Sequence, residues 1–344
     1  MVADSRAESF GVKGADRDEI DSPRSGSIVS GMNNPHLLTR SPANPILTAD
    51  DYPAPASSIF NAGAVSFEGE TLLLARVEGL TGLSHLAVAR SADGISGWRF
   101  DLEHDLISDP ANHPEDAWGI EDARIVAVPE FGYAITFTSY SEQGPVVSLA
   151  LTRDFHHFER RGVICPPDDK DAALFPRRFG GVWYLLHRPV HPGQGPAHII
   201  LSRSTDLATW TGHQILLPAR VGGWWDANKV GLGPPPLETP EGWLLLYHAA
   251  KEGASGVLYR SGLALLDLAD PTRVIARSDE FIFAPEMDYE RIGDIPNVVF
   301  PQGWIADPDG TLRIYYGAAD QSVCLAGANL AELLAYLARF PVKD

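Results

Sequence analysis

Cysteine is scarce in this chain, and long hydrophobic runs are missing. Cys165 and Cys324 are the only two cysteines among 344 residues, and their spacing fits neither a disulfide framework nor a metal site. No apolar segment approaches the length that a membrane-spanning helix needs. The stretch from Met1 to about Ser30 is polar and lacks the apolar core of a signal peptide. These absences predict a soluble, cytoplasmic protein with a loose polar leader.

Positively charged residues are also few. The chain has 27 Lys and Arg against 45 Asp and Glu, which gives a formal net charge of −18. Such an excess of negative charge argues against nucleic acid and against an anionic membrane surface as partners. Equally absent are a zinc-type ligand spacing, a P-loop, a glycine-rich dinucleotide loop and a Gly-x-Ser-x-Gly elbow. We therefore expect neither a metal nor an organic cofactor.

Helical periodicity is scarce as well, and the Ala- and Leu-rich stretch from Asn329 to Phe340 is the only strong helix prediction. Elsewhere, short apolar runs recur between clusters of turn residues, in a chain with 32 Gly and 27 Pro. Ten such runs are Gly63–Phe67, Thr71–Val77, His85–Arg90, Tyr133–Phe137, Val146–Leu151, Trp183–His187, His198–Ser202, Trp243–His248, Leu258–Leu266 and Leu312–Tyr316. This spacing predicts an all-β protein of many short antiparallel strands.

A degenerate repeat accompanies these strands. Four times, a strand end leads through an Asp-bearing turn to an apolar residue: Ala89–Gly94 to Trp98, Leu151–Phe155 to Phe158, Ser202–Leu207 to Trp210, and Leu265–Pro271 to Val274. The copies recur roughly every 50 to 65 residues, the size of a four-stranded propeller blade. Four units and a closing blade across the termini predict a five-bladed β-propeller with a short C-terminal helix. A pair of β-sandwiches would explain the strands but not the repeat.

The expected organisation is a flexible polar extension, residues 1–35, followed by the five-bladed propeller domain, residues 36–344. In a propeller the inner strands converge on a central channel, and their ends and loops supply a site at one mouth. We therefore expect the functional residues to be scattered over several blades.

The segment Glu121-Asp122-Ala123-Arg124 places two adjacent carboxylates and an arginine directly before the apolar run Ile125–Val128. Neighbouring side chains on an extended strand point to opposite faces, so Glu121 and Asp122 can face one site only if the backbone bends there. We expect one carboxylate to be structural, paired with Arg124 or with another base. The other is a candidate proton donor or acceptor.

Basic side chains recur at strand ends in this acidic chain. They stand at comparable points of successive units: Arg76, Lys170, Arg188, Lys229 and His248. An oxyanion bound at the channel mouth, flanked by Asp122 and Asp320, would explain this regularity. The adjacent Trp224 and Trp225 offer stacking faces for a sugar ring, and Asn61 lies in a small-residue turn that a ligand can approach closely.

Eight of these segments, in order, resemble the motif set of glycoside hydrolase family 130. They are Asn44–Leu47, Phe60–Val65, Arg76–Glu78, Gly119–Arg124, Asp169–Pro176, His187–Pro189, Lys229–Gly231 and Tyr316–Asp320. The resemblance covers roughly residues 37 to 330. That family contains inverting β-mannoside phosphorylases and related β-1,2-mannosidases, and its fold is a five-bladed β-propeller. The resemblance thus implies the fold that the repeat predicts.

The resemblance also implies roles for single residues. Asp122 would be the single catalytic general acid, while Asn61, Arg76 and Asp320 would hold the mannosyl unit. Inorganic phosphate, a co-substrate and not a cofactor, would be gathered by five side chains: Lys170, Arg188, Lys229, His248 and Tyr259. Ala62 stands where proline is commoner in the family. The alignment between Lys170 and Arg188 is loose, which leaves open whether Lys170, His187 or Arg188 contacts phosphate.

One acid among several bases favours phosphorolysis over hydrolysis. An inverting hydrolase needs a second carboxylate to activate water, whereas phosphate is already an anionic nucleophile that cations can hold in line. The leading hypothesis is therefore an inverting phosphorylase that acts on β-1,2- or β-1,4-linked mannosides and gives α-mannose 1-phosphate. A β-1,2-mannosidase is the first rival and a non-catalytic sugar-binding propeller the second. A homo-oligomer is an open alternative to a monomer.

Overall fold

The computed structural model describes residues 37–190, 195–253 and 256–342. The expected N-terminal extension, residues 1–35, lies outside the described residues. The longest helix in the described part of the chain has eight residues, so none of its helices is long enough to span a bilayer.

Five antiparallel sheets, blades I to V, follow one another along the chain. Blade I consists of β2 (Ala56–Phe67), β3 (Glu70–Gly79), β4 (Ser84–Ser91) and β5 (Arg99–Phe100). Blade II consists of β6 (Ile120–Val128), β7 (Gly132–Ser141), β8 (Gly144–Thr152) and β9 (Glu159–Cys165). Blade III consists of β10 (Asp169–Leu174), β11 (Trp183–Pro189), β12 (Ile199–Ser204) and β13 (Thr211–Leu217).

The last two blades complete the ring. Blade IV consists of β14 (Lys229–Leu232), β15 (Leu237–Thr239), β16 (Gly242–Gly253), β17 (Gly256–Leu266) and β18 (Val274–Arg277), with β14 and β15 both paired to β16. Blade V consists of β1 (Thr39–Arg40), β19 (Val299–Ala306), β20 (Thr311–Ala318) and β21 (Ser322–Asn329). The helices within the described residues are two short 3-10 turns, Ala49–Asp51 and Pro114–Asp116, and the α-helices α1 (Asp288–Arg291) and α2 (Leu330–Leu337).

Hydrophobic cores lie in the seams between neighbouring blades. In β3, Leu72 and Leu74 pack into the seam with blade II, whereas Leu73 and Ala75 pack into the seam with blade V. Successive side chains of a strand point to opposite faces, so a strand between two seams must be apolar at every position. This explains the continuous apolar runs of the sequence, and it makes each blade dependent on both of its neighbours.

The Asp-bearing repeat forms the turn that leads to the outermost strand of blades I to IV. Asp93, Asp154, Asp206 and Asp267 each accept hydrogen bonds from the backbone N–H groups two and three residues further on. These bonds lower the pKa of the Asp206 carboxyl to about 2. The prediction of repeated propeller blades is thus confirmed.

Residues from both ends of the chain form the fifth blade. Strand β1 pairs with β21, the innermost strand β19 comes late in the chain, and α2 follows β21 directly. The Asn329 side chain caps α2 by accepting a hydrogen bond from the Glu332 backbone N–H. The helix is shorter than the predicted stretch from Asn329 to Phe340, because Ala338 caps it and the chain continues as a turn.

The Arg40 guanidinium links β1 of blade V to the segment around α1. It forms two hydrogen bonds, of 2.7 and 2.9 Å, with the carboxylate of Glu290, which is fully buried, and a third with the backbone carbonyl of Ala284. The Glu290 carboxylate also accepts from the Tyr316 hydroxyl of β20.

Replacing Arg40 with Ala should lower the free energy of unfolding by about 3 kcal/mol, because it leaves a buried carboxylate without its cation. Urea unfolding followed by tryptophan fluorescence measures the difference. Arg99→Ala is the matched control, since Arg99 makes a two-oxygen contact with Glu70 but is 59% exposed. It should change the free energy of unfolding by less than about 1 kcal/mol. Equal effects of the two substitutions would contradict the proposed role of Arg40 in holding β1.

Candidate active site

Backbone irregularities on three inner strands shape the site. Strands β2, β6 and β10 each shift register where one residue adopts a positive φ: Asn61 (45°), Asp122 (61°) and Asp171 (54°). Asn and Asp tolerate this left-handed conformation better than other residues with a side chain. The bulge on β6 is the bend that Glu121 and Asp122 need in order to reach the same group of bases.

A cavity of about 250 Å³ opens at these bulges. Its lining includes nine of the residues proposed from the sequence, namely Asn61, Arg76, Asp122, Lys170, Arg188, Lys229, His248, Tyr259 and Asp320. They come from all five blades, as expected of a propeller channel. Four further lining residues are Asp171, Ile295, Val298 and Phe300.

Asp122 lies on the side of the cavity formed by blades I, II and V. Its Oδ1 accepts a hydrogen bond of 3.0 Å from Asn61 Nδ2 and lies 3.5 Å from Arg76 Nη1. Its Oδ2 has no hydrogen-bond partner in the described part of the chain, so one oxygen remains available to a ligand. Burial and the charge of Asp122 raise the pKa of the neighbouring Asp320 carboxyl to about 7, so Asp320 can donate as well as accept a hydrogen bond near neutral pH.

Glu121 has a structural role, but not with the partner that lies nearest in sequence. Its carboxylate binds Arg76 Nη1 and Lys170 Nζ, each at 2.6 Å, and makes no contact with Arg124. Burial alone would raise the pKa of Glu121, yet the two cations outweigh burial and lower it. The expectation of a Glu121–Arg124 pair is therefore wrong, whereas the expectation of a pair with another base describes the structure.

Arg124 turns inward because of the bulge and fills the channel below the cavity. It is 1% exposed, and it donates to the backbone carbonyls of Asp122, Leu232 and Gly233. Its Nη2 also lies 3.3 Å from Asp171 Oδ1. These contacts connect blades II, III and IV.

Asp171 is a site residue that the sequence does not predict, although it stands within the Asp169–Pro176 motif. Its Oδ2 accepts a hydrogen bond of 2.6 Å from Arg188 Nε and lies 3.3 Å from His248 Nε2. Burial would raise its pKa, but Arg188, His248 and Arg124 hold the pKa well below its usual range. No sequence signal separates Asp171 from Asp168 and Asp169, because its role depends on a bulge and on three other strands.

The basic side of the cavity belongs to blades III and IV. The terminal nitrogens of Arg188 have no hydrogen-bond partner in the described segments. Lys229 Nζ lies 2.8 Å from the Tyr259 hydroxyl, and burial together with repulsion from Arg188 lowers the pKa of Lys229 to about 8. Burial lowers the pKa of His248 to about 4, so this ring is neutral at neutral pH. The available positive charge thus lies on Arg188 and Lys229.

His187 does not line the cavity. Its Nδ1 lies 2.6 Å from Asp169 Oδ2, and its Nε2 lies 2.6 Å from Ser202 Oγ, within blade III. Of the three residues whose contact with phosphate was left open, Lys170 and Arg188 face the cavity. Lys170 is already paired with Glu121, which leaves Arg188 with the freer donors.

The two adjacent tryptophans do not reach the cavity. Trp225 is 8% exposed, stacks on Tyr247 and donates its indole N–H to the Asp279 carbonyl. Trp224 is exposed, but the guanidinium of Arg220 covers its ring. The structure therefore does not bring this pair together with the other predicted sugar-binding residues.

The remaining lining residues are apolar and gave no signal in the sequence. Ile295 and Val298 belong to the segment after α1, and the Phe300 ring of β19 contacts the His248 ring at a centroid distance of 4.6 Å.

Among the described residues, two groups of side chains are close enough to hold a metal ion: Asp101, His104 and His156, and Cys165, Asp169 and His187. Both groups lie outside the set that lines the cavity.

Comparisons with known proteins identify the family of this chain. A family model described as beta-1,4-mannooligosaccharide phosphorylase, that of glycoside hydrolase family 130, matches residues 38–339. A beta-1,2-mannobiose phosphorylase of Listeria innocua is 40% identical over 76% of this chain and 71% of its own length. A beta-1,4-mannooligosaccharide phosphorylase of Ruminococcus albus is 31% identical over 90% of this chain and 97% of its own.

Similar solved structures belong to the same family. The complex of the Listeria innocua beta-1,2-mannobiose phosphorylase with beta-1,2-mannobiose superposes with a TM-score of 0.80 at 32% identity, over 88% of this chain and 99% of the other. A second structure, which represents family 130 glycoside hydrolases that target beta-1,2 mannosidic linkages in Candida mannan, has a TM-score of 0.74 at 26% identity, over 85% and 93%. The family model and the relatives together show that the chain belongs to glycoside hydrolase family 130.

Proposed function

We propose that the protein catalyses the inverting phosphorolysis of β-mannosides and releases α-mannose 1-phosphate. The observation that carries this proposal is the division of one cavity into two sides. On one side, Asp122 presents a carboxyl oxygen that has no hydrogen-bond partner among the described residues. On the other side, Arg188 and Lys229 present cationic donors. Relatives named as mannoside phosphorylases support the same reading.

In this proposal the mannosyl unit occupies the side formed by blades I, II and V. Asn61, Arg76 and Asp320 surround Asp122 there, and their amide, guanidinium and carboxyl groups suit the hydroxyls of a sugar. Phosphate occupies the side formed by blades III and IV. Arg188 offers a planar fork and Lys229 a point charge, and Lys170, His248 and Tyr259 complete this side.

The reaction is a single displacement at the anomeric carbon. A phosphate oxygen attacks that carbon from the α face while the β-glycosidic C–O bond breaks on the opposite face. Asp122 gives its proton to the departing oxygen, directly or through a mannose hydroxyl, and the proton that phosphate loses restores the carboxylic acid. The cations of the phosphate side hold the nucleophile in line and offset its charge.

Water is a poorer nucleophile for this cavity than phosphate. An inverting hydrolase needs a carboxylate base on the side opposite the acid. The second lining carboxylate that could serve, Asp320, has Asp122 and Arg76 as its strongest charged neighbours and so belongs to the acid side. Asp171, on the other side, is occupied by Arg124 and Arg188. A hydrolase is therefore the second candidate, favoured only by the hydrolases known in the family.

We place the reaction in the cytoplasm and assign it phosphate as co-substrate without a further cofactor. Cys165 and Cys324 are free and buried, which suits a reducing compartment. Relatives act on β-1,2-mannobiose and on β-1,4-mannooligosaccharides, so both linkages belong among the substrates to be assayed.

The proposal is tested by incubating the protein with β-1,2-mannobiose and with β-1,4-mannobiose, each with and without inorganic phosphate. Mannose 1-phosphate should form from at least one disaccharide, and only when phosphate is present. Release of two mannose molecules at the same rate without phosphate would identify a hydrolase instead. Absence of cleavage under both conditions, with tight disaccharide binding, would identify a sugar-binding propeller.

Asp122→Asn should lower kcat about 10³-fold in both phosphorolysis and synthesis, because the amide cannot give a proton to the leaving oxygen. The fold should persist, since Asn is isosteric with Asp and tolerates the positive φ of this position. Thermal unfolding serves as the check on the fold. Asp309→Asn, at an exposed turn of blade V, is the control and should retain full activity. Retention of most activity by Asp122→Asn would overturn the assignment of the acid.

The charge of Lys229 should make phosphate use sensitive to alkaline pH. With a pKa of about 8, Lys229 is charged below pH 8 and loses its charge as the pH rises through that value. The kcat/KM for phosphate, which reports the free enzyme, should therefore fall above about pH 8.

Lys229→Arg is the matched variant for this dependence, because Arg stays protonated throughout the accessible range. Its alkaline limb should move to higher pH, whatever its activity at pH 7. Superimposable alkaline limbs of wild type and Lys229→Arg, each normalised to its own maximum, would show that another group titrates.

A further inference from the structure

Two exposed aromatic side chains, Trp118 and Tyr140, lie beside the cavity and have no part in the chemistry above. Trp118 is 49% exposed and Tyr140 37% exposed, and their ring centroids are 5.5 Å apart. Leu83 is 45% exposed and precedes Ser84, whose backbone pairs with Gly119. Two exposed aromatic side chains in contact mark a binding site more often than a lone exposed side chain does.

The backbone holds this aromatic pair rigidly. The Trp118 N–H donates to the Tyr140 carbonyl at 2.7 Å, and the Tyr140 N–H donates to the Gly119 carbonyl at 3.1 Å, which extends the pairing of β6 with β7. Gly119 has a φ of 98°, and a Cβ there would lie only 2.8 Å from the backbone of Ser84. Only glycine permits this approach, which fixes Trp118 at the seam between blades I and II. The platform therefore exists before any ligand arrives.

Lys170 connects this platform with the cavity. Its Nζ lies 5.6 Å from the centroid of the Tyr140 ring, and the same ammonium group lines the cavity and binds Glu121. Asp122 is the residue after Glu121, on the strand that Trp118 precedes by two residues. The aromatic pair thus lies at the rim next to the strand that carries the acid, and Lys170 separates it from the other residues of the phosphate side.

The order of the blades places this rim opposite blade IV. Adjacent blades share a hydrophobic seam all the way round the ring, so the blades follow one another around the axis in sequence order. In a ring of five, the seam between blades I and II lies across the axis from blade IV. Blade IV carries three of the residues assigned to phosphate, Lys229, His248 and Tyr259. In an inverting displacement the leaving group departs on the side opposite the nucleophile.

We propose that Trp118 and Tyr140 form the acceptor platform, on which the sugar that leaves in phosphorolysis, and enters in synthesis, is stacked. This inference rests on the proposed phosphorylase function. The flat apolar face of a pyranose ring matches the faces of Trp and Tyr, and the two rings add binding area with little conformational entropy to lose. The platform determines affinity for the acceptor, and its one contact with the phosphate side in the described part of the chain is that of Tyr140 with Lys170.

The test is a steady-state comparison in the synthetic direction, with α-mannose 1-phosphate as donor and mannose as acceptor. Trp118→Ala and Tyr140→Ala should each raise the KM for the acceptor by about tenfold, which corresponds to about 1.4 kcal/mol of binding, while the KM for the donor changes by less than about twofold. Trp118→Phe keeps a flat ring and should retain most of the affinity for the acceptor.

Three results would overturn the platform. The first is an unchanged KM for the acceptor in both Ala variants. The second is a raised KM for the acceptor in Trp224→Ala instead, which would put the acceptor over blade IV. The third is a change in sedimentation coefficient, without a change in KM, which would make the pair a contact between copies of the chain. Failure of the phosphorylase function is recognised separately, because the wild type would then form no mannose 1-phosphate from a disaccharide and phosphate.

Discussion

The buried ion pair between Arg124 and Asp171 is the interaction on which the site depends. A guanidinium and a carboxylate, taken out of water at the bottom of the channel, are stable only because each finds further partners. Arg124 also holds the carbonyls of Asp122, Leu232 and Gly233. Asp171 also holds Arg188. The proposed acid and the proposed phosphate ligand are therefore fixed to the two members of one pair, which sets the distance between the two sides of the cavity.

A neutral side chain joins the remaining blades, and ion pairs balance much of the charge that lines the cavity. Gln302 of blade V donates to the carbonyls of Asn61 and Ala123, which joins blades V, I and II as Arg124 joins blades II, III and IV. Glu121 neutralises positive charge at Arg76 and Lys170. In a chain of net charge −18, the positive charge proposed to hold the anionic nucleophile therefore comes from Arg188 and Lys229.

The sequence predicts the middle strands and the Asp turns well, because these elements are determined locally. Strands between two seams must be apolar throughout, and Asp206 and its counterparts bond their own turns. Exposed outer strands such as β13 carry no such pattern and were not predicted. Proximity in sequence makes Arg124 one of the possible partners of Glu121, but a bulge turns it inward. Trp225, chosen for its chemistry, is used for packing, since sequence does not show which way a loop side chain points.

The account requires phosphate to attack from blades III and IV while the acceptor departs over the seam of blades I and II. Stereochemistry at the anomeric carbon tests that geometry most directly. Proton NMR of the product distinguishes the two anomers of mannose 1-phosphate, which do not interconvert because the anomeric oxygen carries the phosphate. A single displacement across the cavity predicts the α anomer alone. Formation of the β anomer would require attack from the side of the departing sugar and would contradict the opposed arrangement of acid and phosphate.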